Sequence, residues 1–181
     1  MNLISLRFVS KNPHKFREAQ ALTKGSPLSL IKAPLSIAEL QTRDEIALVK
    51  DKAIKAFQEI GKPLLVEHTG LYLKELNDLP GGLTQTFWDA LEADRFAHLF
   101  GGTDLVARTQ ICYCDGRKFH YFSGEVLGYV ATKPRGNREF QWDCIFIPKG
   151  RKRTFAEMGD TKNDISMRKL AFDKLLQFLF K

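Results

Sequence analysis

The segment from Leu105 to Ala131 restricts the fold more than any other part of this chain. "LVARTQICYC" and "KFHYFSGEVLGYVA" are two long strand-like runs on either side of Asp115-Gly116. An Asp-Gly pair between β-branched and aromatic runs predicts a hairpin, because those two residues tolerate the backbone of a tight reversal. A hairpin this long needs further strands beside it. Short apolar strands at "LRFV" (6–9), "LLVEH" (64–68) and "FQWDCIFIP" (140–148) supply them.

Helical segments interrupt these strands without strict alternation. "SKNPHKFREAQALTKG" predicts a helix capped by Asn12, with Pro13 at its first position, Phe16, Ala19 and Leu22 as the buried stripe, and Gly25 as its stop. "TRDEIALVKDKAIKAFQEIG" predicts a second, with Thr42 and Glu45 as a capping box and Ile46, Val49, Ala53, Phe57 and Ile60 along one side. A third spans roughly 84–99 and carries Phe87, Leu91 and Phe96. The last, capped by Asp164, buries Ile165, Leu170, Phe172, Leu176 and Leu179. With no repeat or linker, the expectation is one domain over 1–181, an α/β fold with a sheet of mixed direction and a hairpin-rich extension.

The 181 residues and 44% hydrophobic content suit a globule with a real interior. No apolar run approaches the ~20 residues of a membrane helix, and the N-terminus lacks a signal-peptide layout, so a cytoplasmic protein is expected. Cys112, Cys114 and Cys144 form no metal or disulfide pattern and predict reduced thiols. The net charge of +7 favours an anionic partner. The densest basic run, Lys149–Arg153, holds a glycine and no aromatic residue, so a solvated turn is favoured there over a nucleic-acid contact.

Two features suggest chemistry. The first helix start carries Lys11, His14, Lys15 and Arg17 beside free backbone N–H groups, a sensible phosphate site. Glu67 and His68 sit side by side where the 64–68 strand meets Thr69-Gly70, read as a turn. That pair fits either a solvated strand end or a metal or proton-transfer site.

Several pieces, in order, resemble the inosine triphosphate pyrophosphatase family: "FVSKNPHKFREA", "DEIALVKDKA", "LLVEHTGLYLKELNDLPGG" and "PRGNREFQWDCIFIPKGRKRTFAEMGDTKNDISMRKLA". The similarity covers nearly the whole chain. It implies an elongated mixed sheet flanked by helices, a nucleotide-binding cleft between two lobes, a homodimer, and hydrolysis of purine nucleoside triphosphates of the (d)ITP/XTP type to the monophosphate and pyrophosphate. By position, Ser10, Asn12 and Lys15 would hold the triphosphate, with Lys50 near the phosphates. Glu45 and Glu67 would hold magnesium, or manganese as the alternative. Phe140 would stack on the base, Trp142 and Asp143 would shape its sugar end, and Lys162, Ser166 and Arg168 would complete base recognition.

The chain departs from the family pattern at several of these places. His68 stands where the family carries an aspartate, as a base or an unusual ligand. Met167 stands where a histidine is usual, Lys11 replaces a small residue, and Gln141 and Cys144 replace a glycine and a proline. An imidazole suits manganese, nickel or zinc better than magnesium. The alternative is a nucleotide-binding homologue, impaired or altered in specificity, that acts as a sensor or partner-binding module.

Overall fold

The structure is a computed structural model that describes residues 3–181. Among the described residues seven strands form one mixed sheet: β1 (Ile4–Val9), β2 (Leu28–Ala33), β3 (Leu64–Leu73), β4 (Leu79–Gly81), β5 (Asp104–Cys114), β6 (Phe119–Val130) and β7 (Phe146–Pro148). Their order is β2-β1-β3-β5-β6-β7, with β4 paired to β3. β1 runs parallel to β2 and β3, and every other pairing is antiparallel. The expected hairpin is β5–β6, in register from Asp104↔Tyr129 to Cys114↔Phe119. Its loop has four residues, because Asp115 Oδ1 accepts from the Arg117 and Lys118 N–H groups, both at 2.7 Å.

The first three strands position the site. Helix α1 (Pro13–Thr23) carries the chain from β1 out to β2, and α2 (Glu45–Ile60) carries it back across β1 to β3. The two helices cover opposite faces. α1 packs Ala19 and Phe16 against Leu6, Phe8 and Leu65, whereas α2 packs Leu48, Val49, Ala53 and Ala56 against Val9, Leu64 and Val66. β1 ends at Val9, opposite Val66, while β3 continues for seven more residues to Leu73. The chain thus diverges in both directions from the end of β1, which is where open α/β sheets form a crevice.

Two more helices close the other half. Helix α3 (Thr84–Phe100) has non-helical backbone at Glu92, and α4 (Phe155–Met158) is a single capped turn. Together they cover a core of Leu71, Leu73, Phe96, Leu105, Val130 and Phe146. Helix α5 (Met167–Leu179) lies across β5 and β6 beside α1. Gly124 lets it settle, since a Cβ there would come within 2.1 Å of the Met167 carbonyl oxygen.

Four local expectations are corrected. The α2 cap is Asp44, whose Oδ1 accepts from the Ile46 and Ala47 N–H groups; Glu45 does not close a box with Thr42 but turns inward, 5% exposed. Thr69-Gly70 is no turn: β3 passes straight through it, because all ten of its residues pair with β5. Phe140 and Trp142 do not share a strand, since Gln141–Cys144 is a turn of 3-10 helix. The last helix is capped by Ser166 instead of Asp164. The three cysteines are free and buried. No helix among the described residues is long and apolar enough to cross a membrane.

Candidate active site

The crevice at the end of β1 holds a cavity of about 220 Å³. Ser10, Lys11, Asn12 and Lys15 line it from the strand end and the start of α1. Glu39 enters from the loop before α2, Lys52 from α2 itself, and His68 and Thr69 from β3. The cap of α1 uses some of its own binding capacity. Asn12 Oδ1 accepts from the His14 and Lys15 N–H groups at 2.9 and 3.3 Å, and Ser10 Oγ accepts from the Asn12 N–H. What faces the cavity is therefore mainly side-chain chemistry: the ammonium groups of Lys11, Lys15 and Lys52, the hydroxyl residues Ser10, Ser36, Thr69 and Thr84, and one carboxylate, Glu39.

Because side chains alternate along a strand, the neighbours Glu67 and His68 belong to different faces of β3. Glu67 lies on the α1/α5 face. Arg168 donates to both its oxygens, at 2.9 Å from Nε and 2.8 Å from Nη2, and Lys15 Nζ stands 3.4 Å away. Burial alone would raise its pKa, but the Arg168 guanidinium and Lys15 outweigh it and hold the carboxyl at about 2. Burial also lowers the pKa of Lys15, against the opposing pull of Glu67.

His68 lies on the α2 face between two glutamates. Its Nδ1 stands 3.9 Å from Glu39 Oε2, and its Nε2 stands 3.9 Å from Glu45 Oε1. Glu39 Oε1 is engaged separately by Lys52 Nζ at 2.5 Å. Burial, with Lys15 adding to it, lowers the pKa of His68 to about 4 against the pull of Glu39, so the ring is neutral at pH 7. Burial raises Glu45 to about 7. The Glu45 oxygens and His68 Nε2 are buried without a direct hydrogen-bond partner. Gly70 makes room for this carboxylate, since a Cβ there would meet Glu45 Oε1 and the Gly81 carbonyl at 2.7 Å each.

A second cavity, of about 130 Å³, adjoins the other side of the α1 start and is lined by His14, Glu18, Phe140, Asp143 and Lys162. The half-buried Phe140 ring lies 5.5 Å from the His14 ring, with Lys162 Nζ 4.3 Å and the Arg168 guanidinium 5.7 Å from its centre. Lys162 pairs with Asp143 and, at 2.5 Å, with Glu18; Glu18 also pairs with Arg168. Burial raises Asp143 to about 6, against the pull of Lys162. The loop leading to Phe140 is pinned to α3 by Arg138, which donates to both Asp94 oxygens at 2.6 and 3.0 Å.

A cationic cavity thus meets an aromatic one across a single helix turn, at the switch point of a mixed sheet. The model of the Ham1 family matches residues 6–178. This chain belongs to the Ham1 family. It is 35% identical to the inosine triphosphate pyrophosphatase of Candida glabrata, over 97% of each chain. It is 30% identical to the dITP/XTP pyrophosphatase of Pyrobaculum aerophilum, over 94% of this chain and 93% of that one. A HAM1 protein from Coxiella burnetii shares the fold, with a TM-score of 0.75 at 24% identity over 97% of this chain and 98% of that one.

Set in this Ham1 fold, the residues singled out from sequence, apart from Glu45, Lys50 and Glu67, divide into three groups. Ser10, Asn12, Lys15 and His68 line the first cavity, and Phe140, Asp143 and Lys162 line the second. Arg168, Trp142 and Ser166 line neither. Arg168 is 1% exposed beneath Phe140, Trp142 packs edge-on against Phe146 in the core, and Ser166 caps α5 through the Lys169 N–H.

The remaining placements are corrections. Lys50 is exposed and outside the cavity, because the inward stripe of α2 is Glu45, Leu48, Val49, Lys52, Ala53 and Ala56, which carries Lys52 inward in its stead. Glu45 and Glu67 do not form one ion site, since they lie on opposite faces of β3 and Arg168 and Lys15 take up Glu67. Sequence reasoning missed Glu39, Lys52 and Glu18. Only Lys52 carried a signal, its place on the same helical stripe as Glu45 and Val49. Glu39 sits in a loop without periodicity, and Glu18 lies outside the apolar stripe of Phe16, Ala19 and Leu22.

Proposed function

We propose that this chain hydrolyses purine nucleoside triphosphates of the ITP, dITP or XTP class to the monophosphate and pyrophosphate. One observation carries this: the turn of α1 between Asn12 and Lys15 is a wall common to a cavity with three ammonium groups and a cavity containing Phe140, so that one ligand with a polyphosphate at one end and a flat ring at the other spans both. The names of the relatives support the same substrate class. Lys11, Lys15 and Lys52 meet the phosphates, Ser10 and Asn12 orient them, and Phe140 stacks on the base with Lys162 and Asp143 at its edge.

In the reaction a water oxygen bonds to a phosphorus flanking the α–β bridge, the bridging P–O bond breaks, the bridging oxygen leaves with the other phosphorus, and the water's proton passes to solvent. Lys15 and Lys52 neutralise charge on the departing pyrophosphate. Glu39, the carboxylate that lines the cavity, fits a divalent ion arriving with the triphosphate, whereas the Glu45–Glu67 pair does not. Such an ion, held with Glu39, would supply charge neutralisation to the phosphates. The low basicity of His68 makes it a weak proton acceptor.

Pyrophosphate release from ITP, XTP, dITP and the four standard triphosphates, with magnesium and then manganese, tests this. No turnover of any of them at high enzyme concentration overturns it. The competing reading, nucleotide binding without turnover, predicts tight binding and activity restored by His68→Asp. The homodimer is part of the proposal and is tested by sedimentation.

A further inference from the structure

Phe140 sits on a segment tied to α3 on both sides. Before it, Arg138 donates to both Asp94 oxygens; after it, Gln141 Nε2 donates to Gln85 Oε1 at 2.5 Å. The two ties reach different pieces of that helix, since its backbone breaks at Glu92, between Gln85 and Asp94. Gln85 is itself oriented: its Nε2 donates to Asp89 Oδ1 at 2.6 Å, which leaves Oε1 for Gln141. The Arg138–Asp94 pair is exposed, and such pairs contribute little. The Gln141 tie lies where a ligand spanning both cavities must pass. Gln85 and Gln141 line the phosphate cavity, whereas Phe140, one residue back, lines the aromatic one.

Gln141 also occupies backbone that a long side chain rarely takes. Its φ is +42°, on the side where glycine is free of steric cost and other residues are not. Such backbone persists where surrounding contacts over-determine it. The contact that the Gln141 side chain makes is the one to Gln85.

We propose that Gln141 is a positioning residue for the nucleotide reaction: clasped to Gln85, it holds the Phe140 platform at a fixed separation from the phosphate cavity, so that ring and polyphosphate bind in register; this rests on the nucleotide cleft proposed above. The clasp takes no part in bond making or breaking. It acts through Phe140, whose hold on the ring is the same in bound substrate and in the transition state. Its loss therefore raises KM and leaves kcat.

The test compares wild type with Gln85→Ala, Gln141→Gly and the double variant, each as the full chain and each checked for folding by thermal melting. Gln85 is exposed and Gln141 half-buried, and glycine suits the backbone at 141, so all three variants should fold. Pyrophosphate release from ITP gives kcat and KM. Titration calorimetry, with divalent ion withheld, gives the affinities for ITP and for inorganic tripolyphosphate. Each single variant is expected to raise KM for ITP about three- to tenfold, the effect of one hydrogen bond, with kcat within about twofold. The double variant should be no worse than either single one, because both remove the same bond. Affinity for ITP should fall with KM, and affinity for tripolyphosphate, which has no ring, should stay.

Additive losses in the double variant, equal weakening of ITP and tripolyphosphate, a loss carried by kcat, or wild-type kinetics in Gln85→Ala overturns the clasp. If no nucleotide is turned over, the pyrophosphatase reading fails and binding alone decides. ITP weakened in Gln85→Ala with tripolyphosphate unchanged then upholds the clasp, and ITP bound as in wild type sinks it.

Discussion

Arg168 and Glu67, 101 residues apart in sequence and each 1% exposed, form a two-point ion pair beneath the floor of both cavities. Glu18 completes the guanidinium shell and passes the contact on to Lys162. Arg168 is thus the brace between the phosphate side and the base side. Removing one partner leaves the other buried and uncompensated, so Arg168→Met is expected to cost about 3–5 kcal/mol of stability, read by chemical denaturation. The folded-state pKa of Glu67, about 2, lies below its ordinary value of 4.5. Its contribution is therefore fully present above about pH 4.5 and is lost as pH falls toward 2. A Glu67→Gln variant should show a flatter loss of stability across that acid range.

Lys52 and Lys50 give a direct comparison between side chains two residues apart. Lys52 reaches the cavity and Glu39, whereas Lys50 is exposed outside it. Lys52→Ala should lower kcat/KM for a nucleoside triphosphate by about 10- to 100-fold, the 1–3 kcal/mol of a charge-assisted contact. Lys50→Ala should leave it within about twofold, since exposed pairs contribute little. Equal losses in steady-state assays would return Lys50 to the site.

His14 and Phe140, 5.5 Å apart, face each other at the mouth of the second cavity. Phe140→Ala should weaken nucleotide binding by about 1–3 kcal/mol, the cost of a lost base-stacking surface, and His14→Ala should weaken it less. Neither change should alter binding of inorganic tripolyphosphate, which has no ring. Titration calorimetry with both ligands checks the split.

Glu45 titrates opposite to Glu67. Its folded-state pKa, about 7, lies above its ordinary 4.5, so the folded state binds the extra proton between those values and stability falls as pH rises through them. Glu45→Gln removes that penalty and should stabilise the protein at pH 8 by roughly 3 kcal/mol. The gain should vanish below pH 4.5, as followed by denaturant midpoints across pH.

Much of the frame was legible in the sequence because it depends on local rules. The Asp115-Gly116 reversal, the Asn12-Pro13 helix start and the apolar stripe of Phe16, Ala19 and Leu22 each act over a few residues, and each stands in the structure. Helix ends were less legible where two cap candidates stood close together, Thr42 against Asp44 and Asp164 against Ser166, since the choice depends on which side chain the surrounding packing frees to reach the N–H groups.

The sequence by itself determined the mixed sheet, the cationic helix start and the collinear family motifs. The tertiary structure alone decided which neighbours face each other. Strand alternation sends Glu67 to Arg168 and His68 to Glu39 and Glu45, and helix phase brings Lys52 inward and leaves Lys50 outside. Adjacent residues in a strand share no environment once the sheet is covered on both faces. Their partners come from whichever helix covers each face, and that pairing of face with helix is a property of the assembled sheet.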